Sequence, residues 1–267
     1  MSQNTKALRI RIKSVTSTKQ LTKAMGLVAS SKIRRANDAM LKGRDYGAAL
    51  ENMISALSAD RESLKSPYMK QRDSGRTRII VIAGDRGLAG GYNANVFRLA
   101  AQYPDAEIIP IGKRACDRFG KEFVSSEQFS FEDAYSLADS LCRDFAEEKF
   151  DRLGIISTKY ISMMSQEAVI RWILPLEKSE RTDTSGIIFE PDHLTVLNNV
   201  VREYTAGIIT VCVRESFASE VAARRMAMDS AGKNAQQMIS DLQLEYNRAR
   251  QGAITQEITE IVAGSGN

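Results

Sequence analysis

The sequence predicts a mixed α/β protein, with two long terminal helices that pair with each other and a central α/β sheet domain between them. Three observations predict it. Residues 4–58 and 204–262 contain no proline, and each repeats apolar or small side chains at a spacing of three and four. Residues 76–176 alternate short β-branched runs with helical stretches. The helical and alternating regions are separated by Ser66-Pro67 and Asp73-Ser74-Gly75, residues that break regular patterns.

The first helix is read over residues 1–58. Its seam runs through Leu8, Ile12, Val15, Lys19, Thr22, Gly26, Ala29, Ile33, Ala36, Met40, Gly43, Gly47, Leu50, Ile54 and Leu57. That is a seven-residue period, the signature of a coiled coil. Lys19, Thr22 and Gly26 weaken its middle, which a simple dimerisation zipper would avoid. The last helix is read over residues 204–263, with a seam of Phe217, Val221, Arg224, Met228, Ala231, Ala235, Met238, Leu242, Glu245 and Ala249. Small and flexible side chains on this seam let two helices approach closely. A helix of this length extends about 80 Å and buries its stripe only against a partner, so the two terminal helices need each other.

The central domain is read over residues 76–176. Arg78 to Ala83 is a buried strand, and Gly84-Asp85-Arg86-Gly87-Leu88-Ala89-Gly90-Gly91 is a loop. Tyr92 to Ala101 is a helix, Glu107 to Ile111 a second strand, and Lys113 to Lys121 another helix. Phe131 to Glu148 is an amphipathic helix, Arg152 to Ser157 a third strand, and Gln166 to Leu174 a strand at the edge. Strand–helix alternation predicts parallel pairing. Residues 177–190 read as a mobile polar loop, and Pro191 suits the first turn of the last helical region.

Composition excludes several classes. No run of about 18 apolar residues is present, so no span of the membrane is expected. Cys116, Cys142 and Cys212 are far apart, which fits neither a disulfide framework nor a zinc site and suggests a reducing compartment. The N-terminus has no secretory pattern; its first 35 residues are basic like a transit peptide, but the helical pattern runs through them unbroken. The net charge is only +4, yet residues 1–35 hold nine Lys and Arg side chains and no acid. Residues 204–263 are balanced, with six basic and seven acidic side chains. The basic arm therefore seeks an acidic partner.

Catalytic and cofactor signals are weak. The Gly84–Gly91 loop lacks both G-x-G-x-x-G and a P-loop Lys-Ser/Thr pair, so its glycines are read as serving a tight turn and close packing. The single histidine, His193, has no nucleophile or acid set around it. Carboxylates show no metal-ligand spacing. No catalytic residue, metal site or cofactor is expected. The basic arm alone also permits a freestanding nucleic-acid-binding coiled coil, but a bZIP would place a leucine zipper directly downstream, where Met40, Gly43 and Gly47 stand. Arg250-Gln251-Gly252-Ala253-Ile254-Thr255-Gln256-Glu257 is polar on several faces late in a long helix. A fraying end or insertion into a polar socket on another protein would each account for it.

Several motifs resemble the γ subunits of F-type ATP synthases. Lys19 to Lys32 is similar to their N-terminal helix signature, and Asp85-Arg86-Gly87-Leu88-Ala89-Gly90-Gly91-Tyr92-Asn93 to their first strand–loop motif. Ala218-Ser219-Glu220, Arg225 to Met228, Tyr246 to Gln251 and Ile254 to Val262 resemble their C-terminal helix. The resemblance covers the whole chain. It implies a long antiparallel coiled coil of the two terminal helices plus a central Rossmann-like α/β domain. It implies a non-catalytic central rotor stalk, coupling rotation of a membrane ring to ATP synthesis or hydrolysis on β subunits, with proton transport. The implied partners are the α and β subunits of the catalytic ring, the ε subunit and the membrane ring of c subunits, with no nucleic acid. The implied location is peripheral, on the cytoplasmic face of a bacterial cell membrane. By position, Arg250 and Gln251 grip a loop of β, Thr255 and Glu257 are tied to coupling, and Met25 faces an acidic part of β. Arg44, Tyr46 and Tyr204 fall where the stalk meets the ring. Gly26, Gly232 and Gly252 depart from the family by replacing better helix formers, each at about 1 kcal/mol against Ala. Residues 59–75 are short against longer relatives, and the chloroplast-type cysteine insert is absent.

Overall fold

A computed structural model describes residues 3–72, 75–179 and 189–264, without the side chains of Gln3, Asn4 and Glu257. Asp73 and Ser74 of the expected break, and residues 180–188 of the expected polar loop, lie outside the described residues. The elements are α1 (Gln3–Ser58), β1 (Thr77–Ile82), α2 (Tyr92–Ala100), β2 (Glu107–Ile111), α3 (Lys113–Phe119), α4 (Phe131–Ala146), β3 (Arg152–Tyr160), β4 (Gln166–Leu174) and α5 (His193–Gly264). The chain divides into two compact units, Met1–Ser30 with Arg224–Asn267, and Ser31–Ala223.

In the unit Ser31–Ala223 a four-stranded sheet has the order β2-β1-β3-β4. β1 pairs in parallel with β2 and with β3, as strand–helix alternation predicts. β4 corrects that expectation, for it pairs antiparallel with β3. Only residues 161–165 separate these two strands, enough for a hairpin, whereas a parallel return needs a crossover of about a dozen residues or more.

Side chains alternate across β1. Ile80 and Ile82 join a core with Leu141 and Phe145 of α4, Leu57 of α1 and Ile208 of α5. Ile79 and Val81 join a second core with Val96 of α2 and Ala115 of α3. Both faces of the sheet are thus covered, which explains why its strands read as continuous apolar runs. The start of α4 is fixed by a capping box: Ser130 accepts from the Asp133 N–H, and Asp133 reaches back to the Ser130 N–H.

In the other unit the two helical segments lie side by side. Lys19 donates to Gln236, and Arg225 Nη1 donates to the Gly26 carbonyl at 3.0 Å. Numbers rise on one helix as they fall on the other, so the segments run antiparallel. Thr22, Ala29, Met228, Ala235 and Leu242 are buried along this contact. The predicted seam shifts by one residue at Met238 and again at Glu245, which is exposed while Tyr246 is partly buried. Ile239 is buried and Met238 is 45% exposed, because a step of four from Ala235 keeps to the inner face at 3.6 residues per turn.

α5 begins at His193, two residues after Pro191, where the last helical region is read to open, and runs on through Tyr204. Asp192 supplies the start: its carboxylate accepts from the Thr195 N–H at 2.8 Å and from Thr195 Oγ1 at 2.9 Å. An N-cap carboxylate satisfies an orphan donor of the first turn, and these bonds hold its carboxyl below the usual range. Pro191 accordingly stands before the cap and not in the first turn.

Candidate functional site

The last turns of α5 carry the polar segment singled out by the sequence. Arg250, Gln251 and Thr255 are exposed. Thr255 Oγ1 donates to the Gln251 carbonyl at 3.0 Å, and Thr259 Oγ1 to the Thr255 carbonyl at 2.8 Å. The threonines are therefore satisfied locally, while the Arg250 guanidinium has no ion-pair partner among the described residues. Glu257 is helical, but its side chain lies outside the described residues. The sequence reading missed a second strip. Ile254, Ile258, Ile261 and Val262 are between 45% and 70% exposed. Their spacing of four, three and one was the available signal, since it places them on one helical face. The tail thus presents hydrogen-bonding heads beside an uncovered apolar strip.

Met25 is half-buried, one residue before Gly26. A Cβ at Gly26 would stand 3.2 Å from Arg225 Nη1, so the glycine makes room for that guanidinium against α1. Lys19, Lys23, Arg225 and Lys233 rim a groove of about 420 Å³ here, with Asp229 as its acidic residue. Lys233 pairs with Asp229 at 2.9 Å, which leaves the groove net positive.

The three residues expected at the membrane ring differ in their surroundings. Arg44 Nη2 donates to the Tyr160 carbonyl and to Glu215 Oε1, each at 2.6 Å, and the same Glu215 oxygen accepts from the Tyr160 N–H at 3.1 Å. Arg44 therefore ties α1 to β3 and α5, though its side chain stays 40% exposed. Tyr46 is 39% exposed. Partial burial, and then the Glu203 charge, raise its phenol above the ordinary value. Tyr204 is buried in the main core, and burial raises its phenol pKa. Its side chain is consequently a packing group of this chain, placed inward by the apolar stripe of α5.

The Gly84–Gly91 loop is built for rigidity. Asp85 accepts from the N–H groups of Lys113, Ser126 and Glu127 at 2.9–3.1 Å and from Ser125 Oγ at 2.6 Å. Burial opposes its ionisation, but these four bonds outweigh burial and hold the carboxyl below the usual range. Tyr92 OH donates to the Ser216 carbonyl at 3.0 Å, fastening the loop end to α5. A Cβ at Gly84 would lie 2.6 Å from Glu220 Cδ, so this glycine permits the close approach of a buried acid. No described helix is long and apolar enough to cross a membrane.

A sheet domain, paired helices, a rigid loop and an uncovered helical tail together define a protein that works through its contacts with others. A family model described as ATP synthase matches residues 4–266. The ATP synthase gamma chain of Geotalea daltonii is 36% identical over 283 aligned residues, covering 97% of each chain. Among solved structures, a chain of the Euglena gracilis mitochondrial ATP synthase (OSCP/F1/c-ring, rotational state 3) shares the fold at a TM-score of 0.69 and 18% identity, over 98% of this chain and 93% of that one. A chain of the Tetrahymena thermophila mitochondrial ATP synthase central stalk and c-ring matches at a TM-score of 0.63 and 20% identity, over 79% of this chain and 99% of that one. The chain belongs to the ATP synthase γ family, the rotor-stalk subunits of F-type ATP synthases. That membership supports the rotor reading and not the freestanding nucleic-acid-binding alternative.

Proposed function

We propose that this chain couples rotation to nucleotide chemistry through the tail of α5, with Arg250 and Gln251 as its grip on the catalytic subunits and Thr255 and Glu257 as neighbouring coupling positions. One observation carries the assignment. The tail exposes an Arg side chain that has no ion-pair partner among the described residues and a Gln side chain, beside an apolar strip that is about half or more exposed. Exposed apolar strips of this kind mark contact surfaces. A shaft that meets successive catalytic subunits with different faces changes their relative nucleotide affinities, which is coupling in the thermodynamic sense.

Met25, and the positive groove lined by its neighbour Gly26, are assigned to an acidic surface of β, on the charge complementarity of the groove. Arg44 and Tyr46 are assigned to the ring-facing end, Arg44 as the tie that fixes that surface and Tyr46 as the exposed contact. Tyr204 supports that end from within. The residue ranges 1–58, 76–176 and 204–263 are taken as the working divisions, with the helical parts acting as one antiparallel coiled coil. The partners are α and β of the catalytic ring, ε, and the c ring, on the cytoplasmic face of a bacterial membrane, with the proton as coupling ion.

The test is a reconstituted complex carrying Arg250→Ala with Gln251→Ala. ATP hydrolysis coupled to proton pumping should fall severalfold, while circular dichroism of the variant chain stays unchanged. Wild-type turnover in that complex would remove the grip assignment. Co-purification with α and β followed by sizing tests the partner set directly.

A further inference from the structure

We propose that a cleft between α1, the segment Val124–Phe129 and α5 is a binding site for a small organic anion, one carboxylate or phosphate on a ring or short apolar body. The cleft has a volume of about 360 Å³ and lies wholly within the unit Ser31–Ala223. Its apolar lining comes from Ala39 of α1, Phe129 of the segment, and Val213 and Phe217 of α5. Its charged lining is Lys32, Arg35, Arg214 and Glu127.

Three observations point to an anion. Glu127 is already shared, by Lys32 and by Arg86 Nη2 at 3.3 Å. Arg35 and Arg214 are exposed and have no carboxylate partner among the described residues. Two guanidiniums without a counter-charge at one cleft attract a carboxylate or phosphate, which they bind through paired N–H donors. Third, Ser126 lines the cleft, is only 5% exposed, and its Oγ has no hydrogen-bond partner among the described residues. A buried hydroxyl left unsatisfied is uncommon and is relieved by a ligand oxygen.

The wall that holds Ser126 is rigid. The N–H groups of Ser126 and Glu127 and the Oγ of Ser125 all end on Asp85. That anchoring preorganises the hydroxyl, so little ordering is required when a ligand enters. Aromatic and aliphatic lining beside a few convergent polar groups is the usual make-up of a small-molecule site. The cleft lies away from the α5 tail in sequence and stands or falls independently of the rotor role.

Calorimetric titration of the full chain with benzoate, phenyl phosphate and neutral benzamide tests the site. One or both anions should bind saturably, and benzamide should bind at least tenfold more weakly. Arg35→Gln with Arg214→Gln should weaken the anion about tenfold or more. Ser126→Ala should weaken it severalfold without lowering thermal stability, since the hydroxyl makes no bond within the described chain. Ala39→Trp, at an exposed lining position, should fill the cleft and abolish binding while the fold persists by circular dichroism. Absence of saturable binding, equal binding of benzamide, or variants that bind like wild type would each overturn the proposal. Loss of anion binding when the chain is assembled with the catalytic ring would give the cleft to a partner's side chain and overturn it as well.

Discussion

At the residue scale, Asp85 is the group whose chemistry is easiest to read out. Its carboxylate collects four donors, and the bonds hold its carboxyl below the ordinary range. A lowered pKa in the folded state means stability that is complete above the unfolded value, about pH 4, and lost as pH falls through the folded one. Asp85→Asn keeps the shape but turns an amide N–H toward donors. It should destabilise the chain by about 1–2 kcal/mol at pH 7, at the modest end because the site is partly exposed. The difference from wild type in chemical denaturation should hold from pH 7 to pH 5 and shrink below about pH 4. A difference that stayed constant to pH 3 would remove the carboxylate from this role. The cysteines give a second reading. All three are buried, and burial pushes the thiols of Cys142 and Cys212 up to about 11. Thiolate is the reactive form, so a disulfide reagent at pH 8 should label these two only as fast as the chain opens. Immediate labelling of either in the native protein would contradict their placement. Asp85 stood within a motif in the sequence, but its partners did not. Ser125, Ser126 and Glu127 are some forty positions away, and nothing in one sequence pairs a carboxylate with backbone N–H groups at that range.

At the scale of the element, the helices and strands were legible wherever one period dominated. Ile79 to Ile82 had to be a buried strand because four β-branched side chains in a row fit a sheet covered on both faces. The seam of α1 was equally plain, since Ala29, Ala36, Met40, Gly43, Gly47 and Leu50 fall on one face and are all buried. Legibility failed where two alternatives differed by one residue or by an end. Met238 and Ile239 both suit a three-four pattern, and only the partner helix decides between them. Asp192 could cap a helix, but Thr195 had to turn toward it before the start of α5 was fixed. The antiparallel direction of β4 was readable from its five-residue connection, a length that outranks the alternation rule. Glycines show best how packing divides what sequence leaves alike. Gly112 has φ of +95°, and a Cβ there would lie 1.9 Å from the Ala83 carbonyl oxygen. A Cβ at Gly252 would meet nothing within 4 Å. Gly112→Ala should therefore lower stability by about 3 kcal/mol or more. Gly252→Ala should raise the local stability of α5 by about 1 kcal/mol, seen as slower amide exchange around residues 248–258. Equal effects from the two substitutions would mean that neither environment is as described.

At the scale of the whole molecule, what matters is where charge lies along the chain. The net charge of +4 conceals nine basic side chains and no acid in residues 1–35, against near balance over residues 204–263. Within the described structure Lys19 meets Gln236 and Lys32 meets Glu127, while Arg9, Lys13 and Lys23 remain exposed. An unneutralised row of cations does little for the fold, because like charges at this spacing repel. Its effect falls on encounter with an acidic partner, where long-range attraction raises the association rate and salt screens it. The screening length is about 10 Å at 0.1 M salt, so the attraction should be strong at 20 mM and weak at 300 mM. Assembly of the full chain with the catalytic ring, followed by stopped-flow fluorescence, should therefore slow by about tenfold or more over that range. Arg9→Glu, Lys13→Glu and Lys23→Glu together should slow assembly at low salt and flatten its salt dependence, with a smaller change in the dissociation rate. Those three side chains make no ion pair among the described residues, so the unassembled chain should melt within a few degrees of wild type. A salt-independent assembly rate in the wild type would mean that the basic arm faces no acidic surface, and that apolar contact along the α5 tail drives docking instead.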